Sequence, residues 1–473
     1  MRIPETGVDK DTLLTSLGEL RGADLDWRSG RTFGYIYDAG REVEAVGKAA
    51  YAAFLTENAL DPTAFPSLLR LEREVVRMAA THLRGGDEVV GNFTSGGTES
   101  IMLAVKTARE WARAARPGVT APEIVVPETA HAAFHKAAHY LGVRVVPTPV
   151  DPVTFRADPD AVRAAITQST IQLVGSAASY AHGVVDPIEE LGAVALEHGL
   201  LFHVDGCIGG FLLPYLRRLG APVPRFELDV PGVTSISMDL HKYAYAPKGA
   251  SIVLHRDKAL RRHQIYSCAR WSGYGVVNPT VQSTKSGGPL AAAWAVLHHV
   301  GDDGYLALAR RLRDATAQIL EGVRSIPGLR VLGEPLMSLV AFTSDTASVF
   351  HVADEMKERG FYIQAQHRFG CSPANLHLTI GPENDRHVPA MLDALRESVA
   401  AAAKLPSGHI GKMVAGALPS LDLNGDGLQK LMGMLGVGAE LPKRMAPINE
   451  VLDALPPEAR EAMLAAFVNE MFV

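Results

Sequence analysis

From about residue 90 to residue 256, short apolar runs rich in Val and Ile alternate with longer stretches of helical periodicity. That alternation predicts a mostly parallel sheet covered by helices. The strand-like runs are 123–127, 143–150, 171–179, 201–206, 234–239 and 250–255. Ahead of these runs, Ile101, Met102, Ala104, Val105, Ala108 and Trp111 recur at the spacing of one helix face. In sheets of this kind ligands gather beyond the carboxyl ends of the strands. Ser179, Asp205 and Lys242 all fall at or just past such ends, so residues distant in sequence can converge.

The pattern changes outside this region. Residues 1–60 are mixed and read as an N-terminal segment, with residues 61–299 as the large domain. Residues 300–404 begin as an Arg-rich helical stretch and pass into strand-like runs at 336–343 and 375–380, which predicts a smaller α+β domain. Residues 405–473 read as a helical tail, with short amphipathic segments at 448–455 and 459–473.

At 473 residues the chain can bury a large core, and its hydrophobic fraction of 47% and charged fraction of 21% are those of an ordinary soluble enzyme. No apolar run approaches the roughly 18 residues that a transmembrane helix requires. The first residues lack the apolar core of a secretory signal, and Cys207, Cys268 and Cys371 are too few and scattered for a disulfide framework. A cytoplasmic location is expected. A net charge of -6 without long basic runs gives no footprint for nucleic acid, which leaves small molecules as the expected ligands.

Three short segments carry candidate chemistry. In Thr94-Ser-Gly-Gly97-Thr98-Glu-Ser100, small residues precede a helix, so its first N–H groups and its dipole are free to bind a phosphate, with the Thr98 hydroxyl as a further donor. In Phe202-His-Val-Asp205-Gly206-Cys207, a carboxylate closes an apolar strand and two small residues leave room for a flat ring. In Ser235-Ile-Ser237-Met-Asp-Leu-His241-Lys242-Tyr243, a lysine stands where a buried strand stops. A lysine amine that can form a Schiff base, an aspartate for a ring nitrogen and a phosphate cradle are what a pyridoxal-phosphate enzyme needs. His131 follows the first of the listed runs and could stack on the ring and move protons; His182 offers a second imidazole. Asp186 before Pro187 reads as a helix cap. Asp422-Leu-Asn424-Gly-Asp426-Gly427 starts like a calcium loop, but Gly433 stands where its twelfth-position Glu belongs, and no His or Cys cluster has zinc spacing, so no metal is expected.

The ordered set TSGGTES, HAAFHKA, GSAASYAHG, HVDG and SISMDLHKYAYAPKG resembles the pyridoxal-phosphate-dependent group II decarboxylase family, and within it the sphingosine-1-phosphate lyases. The likeness runs from about Gly34 to Gly287. It implies a fold-type-I, aspartate aminotransferase-like architecture and a homodimer with its active sites at the subunit interface. It also implies Lys242 for the Schiff base, Asp205 for the ring nitrogen, His131 for stacking, and Gly97, Thr98, Cys207, Ser237 and His241 around the cofactor. Tyr35, Tyr37, Asn58, Asp61, His182 and Lys248 are then expected near substrate, with Tyr180 as a catalytic candidate.

There are departures from that pattern. Asn58-Ala-Leu-Asp61 stands where the lyases have Asn-Pro-Leu-His, Tyr35-Ile-Tyr37 replaces Ala-Val-Tyr, Trp271-Ser-Gly-Tyr274-Gly-Val276 replaces Trp-Pro-Gly-Gly-x-Tyr, and Thr284-Lys285-Ser-Gly287 replaces Ser-Arg-x-Gly. A carboxylate in place of a cation about 5 Å from a substrate phosphate would cost roughly 3 kcal/mol per unit charge at an effective dielectric near 20. The expected activity is retro-aldol cleavage of a phosphorylated or related amino alcohol. The alternatives are amino acid decarboxylation and, further off, aminotransfer or a silent scaffold.

Overall fold

A computed structural model describes residues 2–406 and 442–471. The tail motif Asp422 to Gly427 lies outside them. Among the described residues, fourteen strands form three sheets. In chain order they are β1 (Thr32–Phe33), β2 (Val90–Thr94), β3 (Glu123–Pro127), β4 (Arg144–Thr148), β5 (Thr170–Ser176), β6 (Leu201–Asp205), β7 (Ser235–Asp239), β8 (Ser251–His255), β9 (Tyr266–Cys268), β10 (Val276–Asn278), β11 (Leu329–Val331), β12 (Leu339–Ser344), β13 (Tyr362–Gln366) and β14 (Asn375–Thr379).

The large sheet has the order β2-β8-β7-β6-β5-β3-β4, and its pairs are parallel except where β8 meets β2 and β7. Every residue of β3, β5, β6, β7 and β8 is buried. Burial of both faces accounts for continuous apolar runs rather than strict alternation. Register places Ser176, Asp205 and Ser237 side by side at one end of the sheet. Two residues beyond Ser237, Asp239 pairs with Ser251, which in turn pairs with Thr94.

The small sheet, β1-β13-β14-β12-β11, is antiparallel apart from β1, which the N-terminal segment lays parallel to β13. The helix Gly287–Ser325 links the two sheets and bends at Gly301, whose φ of 64° is left-handed. One buried apolar cluster runs from Leu68 and Phe93 through Phe202 and Tyr243 to Phe342 and Leu378, so both sheets share a core. The helices Ala446–Ala454 and Pro457–Met471 follow. The first is capped by Asp354, which accepts from the backbone N–H groups of Met445 and Ala446 at 2.9 Å each. No described helix is long and apolar enough to cross a membrane.

Candidate active site

The lysine loop is built by strand termination and backbone pinning. After β7 ends at Asp239, the N–H groups of Leu240 and His241 both donate to Ala250 O at 3.0 Å. Tyr245 N returns to Lys242 O at 2.9 Å and Ala246 N to Leu240 O at 3.0 Å, closing the loop on itself. Tyr243 is buried beneath it, its hydroxyl donating to Ile380 O at 3.3 Å and to Ser338 O at 3.5 Å in the small sheet.

Lys242 therefore has a fixed base, and its amine lies 2.9 Å from Asp239 Oδ2. His241 Nε2 is 3.6 Å from the same oxygen. Burial alone would pull the Lys242 amine down, but the Asp239 carboxylate outweighs it and raises the amine above its ordinary value. Asp239 shows the reverse balance: burial favours the acid, and the Lys242 and His241 charges hold it below the usual carboxylate range.

Asp205 closes the neighbouring strand. Its Oδ1 accepts from Cys207 N at 3.0 Å and from Ser237 Oγ at 3.4 Å, while Ser237 also meets His203 Nε2 at 3.2 Å and Cys207 Sγ at 3.2 Å. Burial keeps His203 neutral, at about 4, and pushes the Cys207 thiol well up. Asp205 is thus oriented by two donors at the end of a strand that cannot shift.

The loop after β2 meets this pair from above. The helix Gly97–Ala115 starts at Gly96, which has no side chain to cap it. A Cβ at Gly97 would lie 2.8 Å from both Asp239 carboxylate oxygens and 2.9 Å from Cys207 Sγ. Only glycine lets the helix start this close to the lysine and aspartate strands. Glu99 fixes the turn: Oε2 accepts from Ser95 N and Oγ at 2.6 and 2.7 Å, and Oε1 accepts from Val281 N at 2.7 Å. Thr98 is exposed at the mouth of the turn. An uncapped helix start, a lysine and an oriented aspartate converge here, a donor set whose chemistry fits pyridoxal phosphate.

Tyrosines of the N-terminal segment and of the small sheet lie near Lys248 and Tyr180. Lys248 Nζ sits 4.8 Å from the centre of the Tyr37 ring and 3.4 Å from Tyr35 O, and burial together with the Lys242 charge brings its amine down to about 8. Tyr37 stands edge-on to Tyr243 at 5.0 Å. From the small sheet, Tyr362 meets the Tyr35 hydroxyl at 3.1 Å, and Gln364 accepts from the Tyr180 hydroxyl at 2.7 Å. Burial raises the Tyr180 phenol. His131 is exposed just past β3, and its Nδ1 accepts from Ala133 N at 3.1 Å.

Some residues singled out from the sequence lie elsewhere. His182 is buried, stacked on Phe155 at 4.2 Å and joined to Ser372 Oγ at 2.9 Å, and desolvation holds it neutral at about 4. It belongs to the packed interior instead of a substrate surface. Asp61 is exposed and caps its own turn, accepting from Thr63 N at 2.8 Å and Thr63 Oγ1 at 2.6 Å. It lines a cleft along the helix Pro66–His82 whose lining includes neither Lys242 nor Asp205. Asn58 bridges to Ser286, next to Lys285. Lys285 itself is buried and holds Glu72 Oε2 at 2.7 Å and Phe93 O at 3.1 Å, while Glu72 Oε1 takes Phe93 N at 2.9 Å. This pair clamps the end of β2 ahead of the glycine turn. Sequence reading passed over Asp239, Glu99, Glu72, Tyr362 and Gln364; only Asp239, three residues before Lys242, carried a local signal.

Residues 26–345 match the model of the pyridoxal-dependent decarboxylase conserved domain. The chain belongs to the pyridoxal-dependent decarboxylase family. A second model, the C-terminal HTH domain of pyridoxal-dependent enzymes, matches residues 409–470. Within the family the chain is 40% identical over 405 residues to a sphingosine-1-phosphate lyase of Oryza sativa subsp. japonica, covering 84% of this chain and 74% of that one. The solved sphingosine-1-phosphate lyase Bpss2021 of Burkholderia pseudomallei K96243 superposes with a TM-score of 0.82 at 38% identity, over 89% of this chain and 96% of the other. A glutamate decarboxylase of Lactobacillus brevis shares the fold alone, with a TM-score of 0.73 at 17% identity over 86% of this chain and 97% of that one. The protein is therefore a pyridoxal-phosphate-dependent carbon–carbon lyase of fold type I, homologous to the sphingosine-1-phosphate lyases.

Proposed function

We propose that the protein cleaves a phosphorylated or related amino alcohol between the amine-bearing carbon and the hydroxyl-bearing carbon, releasing an aldehyde. Pyridoxal phosphate, when bound, supplies the electron sink for the breaking bond. Lys242 would hold its aldehyde, Asp205 would pair with its ring nitrogen, Gly97, Thr98 and His241 would hold its phosphate, and His131 would lie against its ring.

The observation that carries the retro-aldol reading is the placement of Lys248, whose Nζ is held 4.8 Å from the centre of the Tyr37 ring and 3.4 Å from Tyr35 O, six residues after Lys242, with its amine brought down to about 8. Retro-aldol cleavage requires removal of the β-hydroxyl proton, and a base that titrates near neutrality does this best. The other two candidates are poorer. Tyr180 is raised by burial, and a neutral His131 whose Nδ1 lone pair accepts from Ala133 N carries its proton on Nε2 and is a donor there. Lys248 Nζ takes the hydroxyl proton as the carbon–carbon bond opens to a carbonyl, and Lys242 Nζ returns a proton to the amine-bearing carbon. The Tyr37 ring lies against the Lys248 amine.

The site is completed in a homodimer. The helix Lys10–Glu19 buries none of its residues within the chain and leaves Leu13, Leu14 and Leu17 exposed, a face suited to covering by a second copy.

The test is a product screen with phosphorylated amino alcohols, β-hydroxy amino acids and simple amino acids, with Lys242→Ala as the control. An aldehyde from the amino alcohols, lost in Lys242→Ala, is expected. Carbon dioxide from amino acids without aldehyde would overturn the reading.

A further inference from the structure

We propose that Asp239 is a positioning residue that holds the Lys242 amine as an ammonium whenever that amine has no covalent partner, so that the released lysine acts as the proton donor to the product carbon. The inference rests on the reading of Lys242 as the cofactor lysine. Nothing in the catalytic scheme above uses Asp239, yet it is the nearest charged group to the Lys242 amine, at 2.9 Å, and its side chain is only 2% exposed.

Its position is fixed on every side. Asp239 is the last residue of β7, its N–H donates to Cys207 O at 3.1 Å, and Gly97 packs directly against both carboxylate oxygens. Oδ2 faces Lys242 and His241, and the Ser251 side chain also lies against the carboxylate. A buried carboxylate so placed has the Lys242 amine as its nearest cation.

The other groups around the amine do not substitute for it. Asp205 is turned toward Cys207 N and Ser237 Oγ. Cys207 is a buried thiol, Tyr180 and Tyr243 are buried phenols, burial favours the neutral imidazole of His241, and the Lys248 ammonium would repel a second one. With Asp239 removed, burial and the Lys248 charge together would favour the neutral amine.

The chemical consequence is directional. An ammonium beside the reacting carbon can give its proton to the carbon that kept the electron pair of the broken bond: the N–H bond breaks, a C–H bond forms, and the neutral amine left behind is the form that rebinds the cofactor. Asp239 sets the first protonation state, and the chemistry itself produces the second.

Competitive labelling of the cofactor-free full-length protein tests this without turnover. A short pulse of acetic anhydride across pH 7 to 11, quantified on the Lys242 peptide by mass spectrometry, reports the neutral fraction of the amine. Lys242 in the wild type should label only above the range of exposed lysines. In Asp239→Asn it should label at least ~10-fold faster at pH 8, one pKa unit being tenfold, and Asp239→Glu should restore the wild-type profile. Identical profiles for wild type and Asp239→Asn would refute the inference. If Asp239→Asn fails to fold, the wild type decides alone, because a midpoint at or below that of exposed lysines is equally fatal. Retained turnover in Lys242→Ala would instead remove the lysine assignment itself.

Discussion

Glu383 offers a quantitative test of the electrostatics behind the site. It sits in the 3-10 turn Pro382–His387, and its Oε2 is buried without a hydrogen-bond partner. Desolvation, aided by the charges of Asp38 and Asp385, pushes its carboxyl from an ordinary value of 4.5 up to about 8. The shift penalises the ionised form by roughly 5 kcal/mol, at about 1.4 kcal/mol per pH unit. The sign follows from proton counting. Between about 4.5 and 8 the folded chain keeps a proton that the unfolded chain has lost, so stability falls as pH rises through that window. Glu383→Gln keeps the shape and removes the titration. At pH 5 the two proteins should differ by no more than about 1 kcal/mol, and at pH 8 the variant should be more stable by about 3 kcal/mol. Urea unfolding followed by circular dichroism at one protein concentration and four pH values measures the gap. A gap that stays constant from pH 5 to pH 8 would show that Glu383 ionises freely, and the reasoning would fail.

Lys248→Met should lower kcat/KM roughly 10²- to 10⁴-fold and abolish the rise in rate expected of the wild type as pH passes about 8; a pH–rate profile that keeps its rising limb would exclude Lys248 as the base. Lys285→Met leaves the Glu72 charge buried alone and should cost ~3–5 kcal/mol in denaturant unfolding, part of it recovered by adding Glu72→Gln, whereas a loss under about 1 kcal/mol would show that the pair does not clamp β2.

Much of the large sheet is legible in the sequence, because strands buried on both faces must be apolar throughout and their ends then stand out. The runs at 123–127, 201–206, 234–239 and 250–255 coincide with β3, β6, β7 and β8 to within a residue. β2 is less visible. Val-Gly-Asn-Phe-Thr has no β-branched run, and Gly91 is there because a Cβ would collide with Val253 O on β8. β1 is two residues long and exists only because β13, more than three hundred residues later, receives it. The same contrast divides the site. Lys242 and Asp205 sit at strand ends that local pattern reveals. Lys285 and Glu72, 213 residues apart, and Tyr180 and Gln364, 184 apart, are joined only by tertiary packing. His182 misled for a related reason: an imidazole in a Gly-containing loop looks available, and only the Phe155 ring laid against it shows that it is interior.

Tyr243 makes the lysine loop a tether across a seam. The loop leaves the large sheet, but the phenol beneath it is fastened to carbonyls of residues 338 and 380, which flank β12 and follow β14 in the small one. The two sheets are therefore not interchangeable modules. A chimera that takes its small sheet from a relative must reproduce those two carbonyl positions, or it will receive a folded half and a lysine with no fixed aim.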